Sequence, residues 1–423
     1  MEDKDIKRPM GPQEALIAEL ISQCNGGIQL VTIARFETPQ HATDVIDALR
    51  HIHARHPMMR ARILAGDTLC WACDVPFDRI DLRREGMGEG FDLETFYASE
   101  AARALDIASA SWRAVLLADQ AGDVVSIALI FNHGAVDGRS SLVVLNDLDR
   151  LLNDPGLSTL PSLPLLPSVE RLLAAAGLSG DRTLLPDVRP ETMWPVTRPA
   201  PGADRRRHGF LRIVPTPTID ALHARCRSEG LHLASAFAAA AYQAAKGLPN
   251  RTNYTAIIAP TDVRAECVPP VPGDTVGEFV SAINLLLGPD FDGASLIDVA
   301  RELQRQFIQN RPPSLLLEPD IPHATIRAQA EQTAAASDVF ASGICVTDIG
   351  DLDALSGRKV GLRDVMVMPS QTHGIHPIMI AIVTTSAGTC LTFGYSTPMQ
   401  THGVARTYGD RYIAALKTLA IPG

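Results

Sequence analysis

Apolar positions recur along this chain with two different periods. Between Gly11 and Cys24 they fall at Leu16, Ile17, Leu20 and Ile21, the i, i+1, i+4, i+5 stripe of a helix buried on one side. Ile28 to Phe36 (IQLVTIARF) reads as a strand. A helix capped by Thr43 follows, with Val45, Ile46, Leu49 and Ile52 on one face. Asp81 to Asp92 mixes charge and glycine and predicts an exposed loop. Phe91 to Leu105 then reads as helix, and Trp112 to Asp119 pairs with Val124 to Phe131 as a hairpin across a polar turn. The helical period returns from Ser140 to Leu152.

After that helix the periodicity stops. Pro155, Pro161, Pro164, Pro167, Pro186, Pro190, Pro195, Pro199 and Pro201 cannot continue a regular core, so residues 153–207 are expected to form a crossover linker, with one short helix at Val169 to Ala175. Beyond it the pattern resumes with a strand, Phe210 to Val214, and a helix with Thr216 at its cap, Pro217 in its first turn and Gly230 past its end. An Ala-rich helix (Ala234 to Lys246), a strand (Tyr254 to Ala259) and two helices (Ser295 to Gln309, His323 to Ala336) come next. The remainder predicts strands at Phe340 to Asp348, Asp364 to Met368, Pro377 to Thr385 and Thr389 to Ser396, and a last helix from Gly403 to Leu419. Each half mixes sheet and helix in a similar order. A chain of 423 residues exceeds what one hydrophobic core usually spans. The expectation is therefore α/β with mixed sheets, in two domains covering residues 1–152 and 208–423.

Composition narrows the classes. With 46% hydrophobic and 20% charged residues the chain is that of a globular protein, and a net charge of −10 argues against a nucleic-acid surface, which needs a concentrated basic footprint. The N-terminus, MEDKDIKRPM, lacks the apolar core of a signal peptide, and no apolar run reaches the roughly 18 residues of a spanning helix. A cytoplasmic location without integral membrane association is expected. Seven scattered cysteines fit reduced thiols. The Cys70, Cys73 pair lacks a second pair at zinc spacing; of His51, His53 and His56, the first two face different sides of a helix and the last two, which could share a face, lack a third ligand, so no metal is expected.

Chemistry concentrates in one stretch, VVSIALIFNHGAVDGRSSLVVLNDLDRLL from Val124 to Leu152. A strand buried on both faces holds its last residues rigidly, and the turn after it exposes side chains that the strand would hide. Here the turn carries Asn132, His133, Gly134, Ala135, Asp137 and Gly138. A neutral imidazole in that place can take a proton from an alcohol or amine attacking a carbonyl. If the acyl group arrives as a thioester, no serine or cysteine nucleophile is needed. Gly138 lets the backbone start the helix without a side-chain clash. The other reading is an ordinary turn histidine followed by Asp137 as a helix N-cap.

This stretch resembles the HHxxxDG signature of the chloramphenicol-acetyltransferase-like superfamily, which includes condensation domains of nonribosomal peptide synthetases and polyketide-associated acyltransferases. RHPMMRAR (Arg55 to Arg62) resembles the family's RHP element, PTDVR (Pro260 to Arg264) its second-domain arginine element, and VGEFVSAI (Val276 to Ile283) its GNF segment. Spacing and length are most similar to the phthiocerol dimycocerosyl transferase type. Asn132 stands where the family has its first histidine, and no DFGWG occurs near the C-terminus, unlike the plant BAHD branch.

The resemblance implies two similar domains forming a V, with a tunnel between them and a free-standing acyltransferase activity. His133 is then the general base, Asn132, Asp137 and Gly138 support the turn, and Arg264 is the partner of Asp137. His373 and His376, in QTHGIHP, together with Ser342 and Thr347, are candidate acceptor or tunnel contacts. Acyl-CoA or a phosphopantetheinyl acyl carrier protein would be co-substrate, with no other cofactor, and a secondary-metabolite or lipid hydroxyl the acceptor of a monomeric enzyme. Two alternatives stay open: a condensation enzyme releasing a carrier-bound polyketide or peptide chain as amide or ester, and a binding homologue without transfer activity.

Overall fold

The computed structural model describes residues 7–421 apart from 25, 155–156, 158–159, 179–193, 249–252, 312–317, 337, 341 and 371. Of the linker prolines, Pro155, Pro186 and Pro190 lie outside the described residues. Among the described residues the chain builds two large sheets, each covered by helices, beside a three-stranded sheet (Lys7–Pro9, Cys70–Ala72, Arg62–Leu64) and a two-stranded one (Val339–Phe340, Trp194–Pro195). The first has five strands in the order Leu362–Pro369, Gln29–Gln40, Val124–Asn132, Trp112–Ala118, Leu82–Gly86. Its hairpin follows the apolar pattern, with Trp112 opposite Phe131 and Leu116 opposite Ile127. Ile127 to Phe131 are fully buried, as expected of a strand covered on both faces.

The region read as an exposed loop holds a short strand, Leu82–Gly86, at the sheet edge, parallel to Trp112–Ala118. Its charges misled because an edge strand can keep them in solvent or in pairs. Arg83 lies 2.6 Å from Glu85 and 2.5 Å from Glu100. Two caps also differ. His41, not Thr43, precedes helix Ala42–Arg55, and Pro215, not Thr216, precedes helix Thr216–Glu229; neither position makes a side-chain cap bond. Gly230 does end that second helix, in the left-handed region at φ 66°.

The second sheet has six strands in the order Val280–Leu287, Thr255–Asp262, Ile344–Asp351, Met379–Thr385, Gly388–Thr397, Arg206–Val214. Thr255–Asp262, Ile344–Asp351 and Met379–Thr385 run parallel to one another, and the outer pairings are antiparallel. Helices Leu233–Ala245, Leu296–Gln309 and His402–Ala420 build the core on this sheet. Leu362–Pro369 leaves this lobe and pairs antiparallel with Gln29–Gln40 of the first sheet, Met366 opposite Ile33 and Pro369 opposite Leu30.

Further contacts tie the RHP element to the helix that follows the histidine turn. Arg55 Nε and His56 Nε2 both lie 3.0 Å from the buried Asp147 carboxylate on helix Gly138–Asn153, and a second Arg55 nitrogen reaches Asp274 at 2.5 Å. Among the described residues no helix is long and apolar enough to cross a membrane, and no group of three or more His, Cys, Asp and Glu side chains could hold a metal ion.

Candidate active site

Strand Val124–Asn132 stops where its last residue begins to serve the turn. The Asn132 carbonyl accepts from the Ala135 and Val136 N–H groups at 2.9 and 3.2 Å, and its side-chain Oδ1 accepts from Gly134 N–H at 3.0 Å. Asn132 thus fastens the tetrad around His133, while its buried Nδ2 has no hydrogen-bond partner among the described residues. Asp137 is the N-cap of helix Gly138–Asn153, and its Oδ1 accepts from Ser140 N–H at 2.6 Å. It is also ion-paired, its Oδ2 lying 3.0 Å from Arg264 Nη2. The N-cap and ion-pair readings of Asp137 therefore both describe the same carboxylate. Arg264 is buried, lies over the Phe279 ring, and holds Asp262 at 2.9 Å with its other terminal nitrogen. A Cβ on Gly138 would stand 3.3 Å from Ile349, so glycine here keeps the helix start clear of the second lobe.

Segment 277–279 of the second lobe is bonded directly to this turn. Asp137 N–H donates to Gly277 O at 3.0 Å, Ser140 Oγ bridges Gly277 O and N at 2.9 and 3.0 Å, and Phe279 N–H donates to Asp137 Oδ2 at 3.0 Å. Glu278 sits in the middle of this seam. Its Oε2 lies 3.2 Å from His133 Nδ1, and its Oε1 accepts from Gln13 Nε2 at 2.7 Å. His133 keeps 17% of its side chain exposed, whereas Glu278 keeps 2%. Desolvation alone would lower the His133 pKa, but the Glu278 charge and hydrogen bond outweigh it and raise the value above the ordinary one. Burial pushes Glu278 up as well, with His133 pulling it back. Nε2 of His133 has no hydrogen-bond partner among the described residues.

His133 and Glu278 stand on the wall of a cavity of about 260 Å³ between the lobes. Leu16, Ile17 and Leu20 from the first helix and Ile258, Val280 and Met379 from the second sheet make it mostly apolar. Of the other candidates, Thr347, His373 and His376 line the same cavity. His376 Nδ1 lies 2.9 Å from Gly343 O, and burial lowers its pKa to about 4, so it is neutral at physiological pH. Ser342 does not line the cavity; it is buried, and its Oγ has no hydrogen-bond partner among the described residues. A larger cavity of about 580 Å³ lies on the opposite face of the second sheet, where Val346 and Asp348 point on the strand whose Thr347 and Ile349 face His133.

Sequence reasoning passed over Glu278 and Gln13. A signal existed for the first: Glu278 is the only charge in the apolar run VGEFVSAI and stands at the middle position of the element likened to GNF.

No family model matches the sequence, and no curated protein does. Solved structures do match over nearly the whole chain. Trichothecene 15-O-acetyltransferase from Fusarium sporotrichioides is 13% identical with a TM-score of 0.72, covering 98% of this chain and 95% of that one. Polyketide synthase associated protein 5 from Mycobacterium tuberculosis is 14% identical with a TM-score of 0.66, covering 98% of each. The epimerization domain from the third module of tyrocidine synthetase B is 15% identical with a TM-score of 0.65, covering 98% and 96%. At such identities the likeness concerns architecture, and one architecture serves several reactions. The chain shares the two-lobed, mixed α/β fold of these solved structures.

Proposed function

We propose that the protein is an acyltransferase that moves an acyl group from a thioester, acyl-CoA or acyl carrier protein, to a hydroxyl acceptor, with His133 as general base. The observation that carries this reading is a partly exposed imidazole, its Nε2 free, on the wall of an apolar cavity between two lobes. Nε2 takes the proton of the acceptor hydroxyl as its oxygen bonds to the thioester carbonyl carbon. The tetrahedral oxyanion collapses, the C–S bond breaks, and the thiolate leaves with the proton returned from Nε2. Ester and free thiol result, with no change in oxidation state and no metal in the step. Asp137 and Arg264 hold the turn from beneath rather than touching the imidazole. Aliphatic walls support an apolar acyl chain or a lipid-like or polyketide-like acceptor, and the location we assign is cytoplasmic.

Thiol release from acyl-CoA and from acyl carrier forms, measured with wild type and His133→Ala, tests the proposal. The expected loss is roughly 10²- to 10⁴-fold in kcat. Turnover by His133→Ala within a few fold of wild type would show that another group is the base. Acceptors bearing an amine in place of the hydroxyl separate ester from amide formation, and wild type inert towards every thioester would favour a binding role.

A further inference from the structure

The side chain that stands behind His133 comes from the other lobe. Glu278 is nearly excluded from water, and among the described residues neither a lysine nor an arginine reaches its carboxylate. Its two partners are the His133 Nδ1 and the Gln13 amide. A buried carboxylate without a cation is costly, and replacing it by an apolar side chain generally favours stability. Its presence therefore calls for another reason than folding.

Geometry supplies one. Gly277 and Phe279, the residues on either side of Glu278, are bonded to Asp137 and Ser140, so backbone on both sides of the carboxylate is fixed to the turn that carries His133. Gln13 Nε2 holds the far oxygen at 2.7 Å and reaches Val280 O at 2.9 Å, which leaves Oε2 directed at the ring. Only an acceptor stands at Nδ1. The proton of a neutral imidazole is thereby drawn to Nδ1, and the lone pair is left on Nε2, which the mechanism requires.

We infer that Glu278 is a positioning residue that fixes the tautomer and orientation of His133 across the lobe boundary, with Gln13 aligning the carboxylate. The inference rests on the general-base reading for its catalytic meaning, but the pairing can be read out without turnover. Orientation of a catalytic imidazole by a buried carboxylate has a known counterpart in the serine-protease triad, where the carboxylate acts through the ring. Other charges near the pair are already engaged: Asp137 with Arg264, and Glu14 with Arg8. The Glu170 carboxylate holds Gln13 by its backbone N–H and does not touch the pair.

Glu278→Gln keeps the shape and removes the charge; Glu278→Asp keeps the charge and shortens the reach. Histidine ¹⁵N NMR of the ligand-free protein, with the His133 signals identified by their loss in His133→Ala, follows the ring directly. In Glu278→Gln the His133 titration is expected to move to lower pH and the Nδ1–H tautomer to lose its dominance, while Glu278→Asp stays nearer to wild type. In parallel, kcat should fall by roughly 10²-fold or more with KM within a few fold, and the acid limb of the pH profile should move to lower pH, because a less basic imidazole loses its proton sooner. His133 titrating at the wild-type pH with the same tautomer in Glu278→Gln overturns the inference. Should Glu278→Gln fail to fold, Glu278→Asp decides alone: a smaller shift of the His133 titration in the same direction supports the inference, and a titration and tautomer identical to wild type overturn it. A shifted ring in a protein that transfers no acyl group refutes the base reading and leaves the positioning inference standing.

Discussion

Glu170→Gln should stabilise the protein, with a gain that grows as pH rises above about 5 and is nearly complete at neutral pH. Glu170 opens the short helix Val169–Ala175 of the crossover segment and is 3% exposed. One oxygen accepts from Gln13 N–H at 2.8 Å. Burial, followed by the charge of Glu14, raises its pKa from 4.5 to about 7. Glu14 cannot share its own cation easily, since Arg8 already grips it at 2.6 and 2.7 Å. At about 1.4 kcal/mol per pKa unit, ionising Glu170 in the folded state costs about 3 kcal/mol more than in the unfolded chain. An acid whose folded pKa is raised leaves stability intact below the unfolded value and loses it as pH climbs through the folded one. The difference between the two pKa values therefore weighs fully at pH 8 and contributes less than about 1 kcal/mol at pH 5. Glutamine keeps the acceptor for Gln13 N–H and removes the charge. Denaturant midpoints of wild type and Glu170→Gln, compared at both pH values so that other titrations cancel, should differ by about 3 kcal/mol at pH 8 and little at pH 5. An equal gain at both pH values, or no gain at pH 8, would refute the reasoning.

Two further substitutions probe the turn. Arg264→Met leaves the Asp137 carboxylate buried without its cation and should destabilise by about 3 to 5 kcal/mol in denaturation; adding Asp137→Asn should recover part of that loss, a non-additivity that independent sites would not give. Asn132→Ala removes the acceptor of Gly134 N–H and should lower stability by about 1 kcal/mol, while KM for a thioester stays unchanged because Asn132 does not line the cavity.

The histidine stretch was legible because every step in it is local. Apolar alternation set the hairpin, polar residues the turn, and a capping aspartate the helix, and neighbours in sequence determine all three. Arg264 was found only through its likeness to a known element, since no local pattern reports which carboxylate a distant arginine will reach. Glu278 escaped because a single glutamate between glycine and phenylalanine looks like a surface residue until its surroundings are known. Leu82–Gly86 was misread for a related reason: the rule that charges mark loops fails at a sheet edge, where the side chains lie half in solvent. Leu362–Pro369 was recognised as a strand, yet its sheet could not be. Backbone preference and side-chain pattern specify that a strand forms, whereas its neighbours are chosen by the packing of the two lobes.

That strand has a consequence for any attempt to take the protein apart. Cutting the chain at the crossover and producing the halves separately would leave Gln29–Gln40 with a bare, largely apolar flank in one fragment and Leu362–Pro369 without a partner in the other. Each fragment then exposes a template for indiscriminate strand addition. Aggregation of the separate halves, and recovery of soluble protein when they are synthesised together, is the behaviour this topology dictates. Lobes exchanged between related chains would have to carry the guest strand with the sheet it completes, so the unit of inheritance is the interlocked pair.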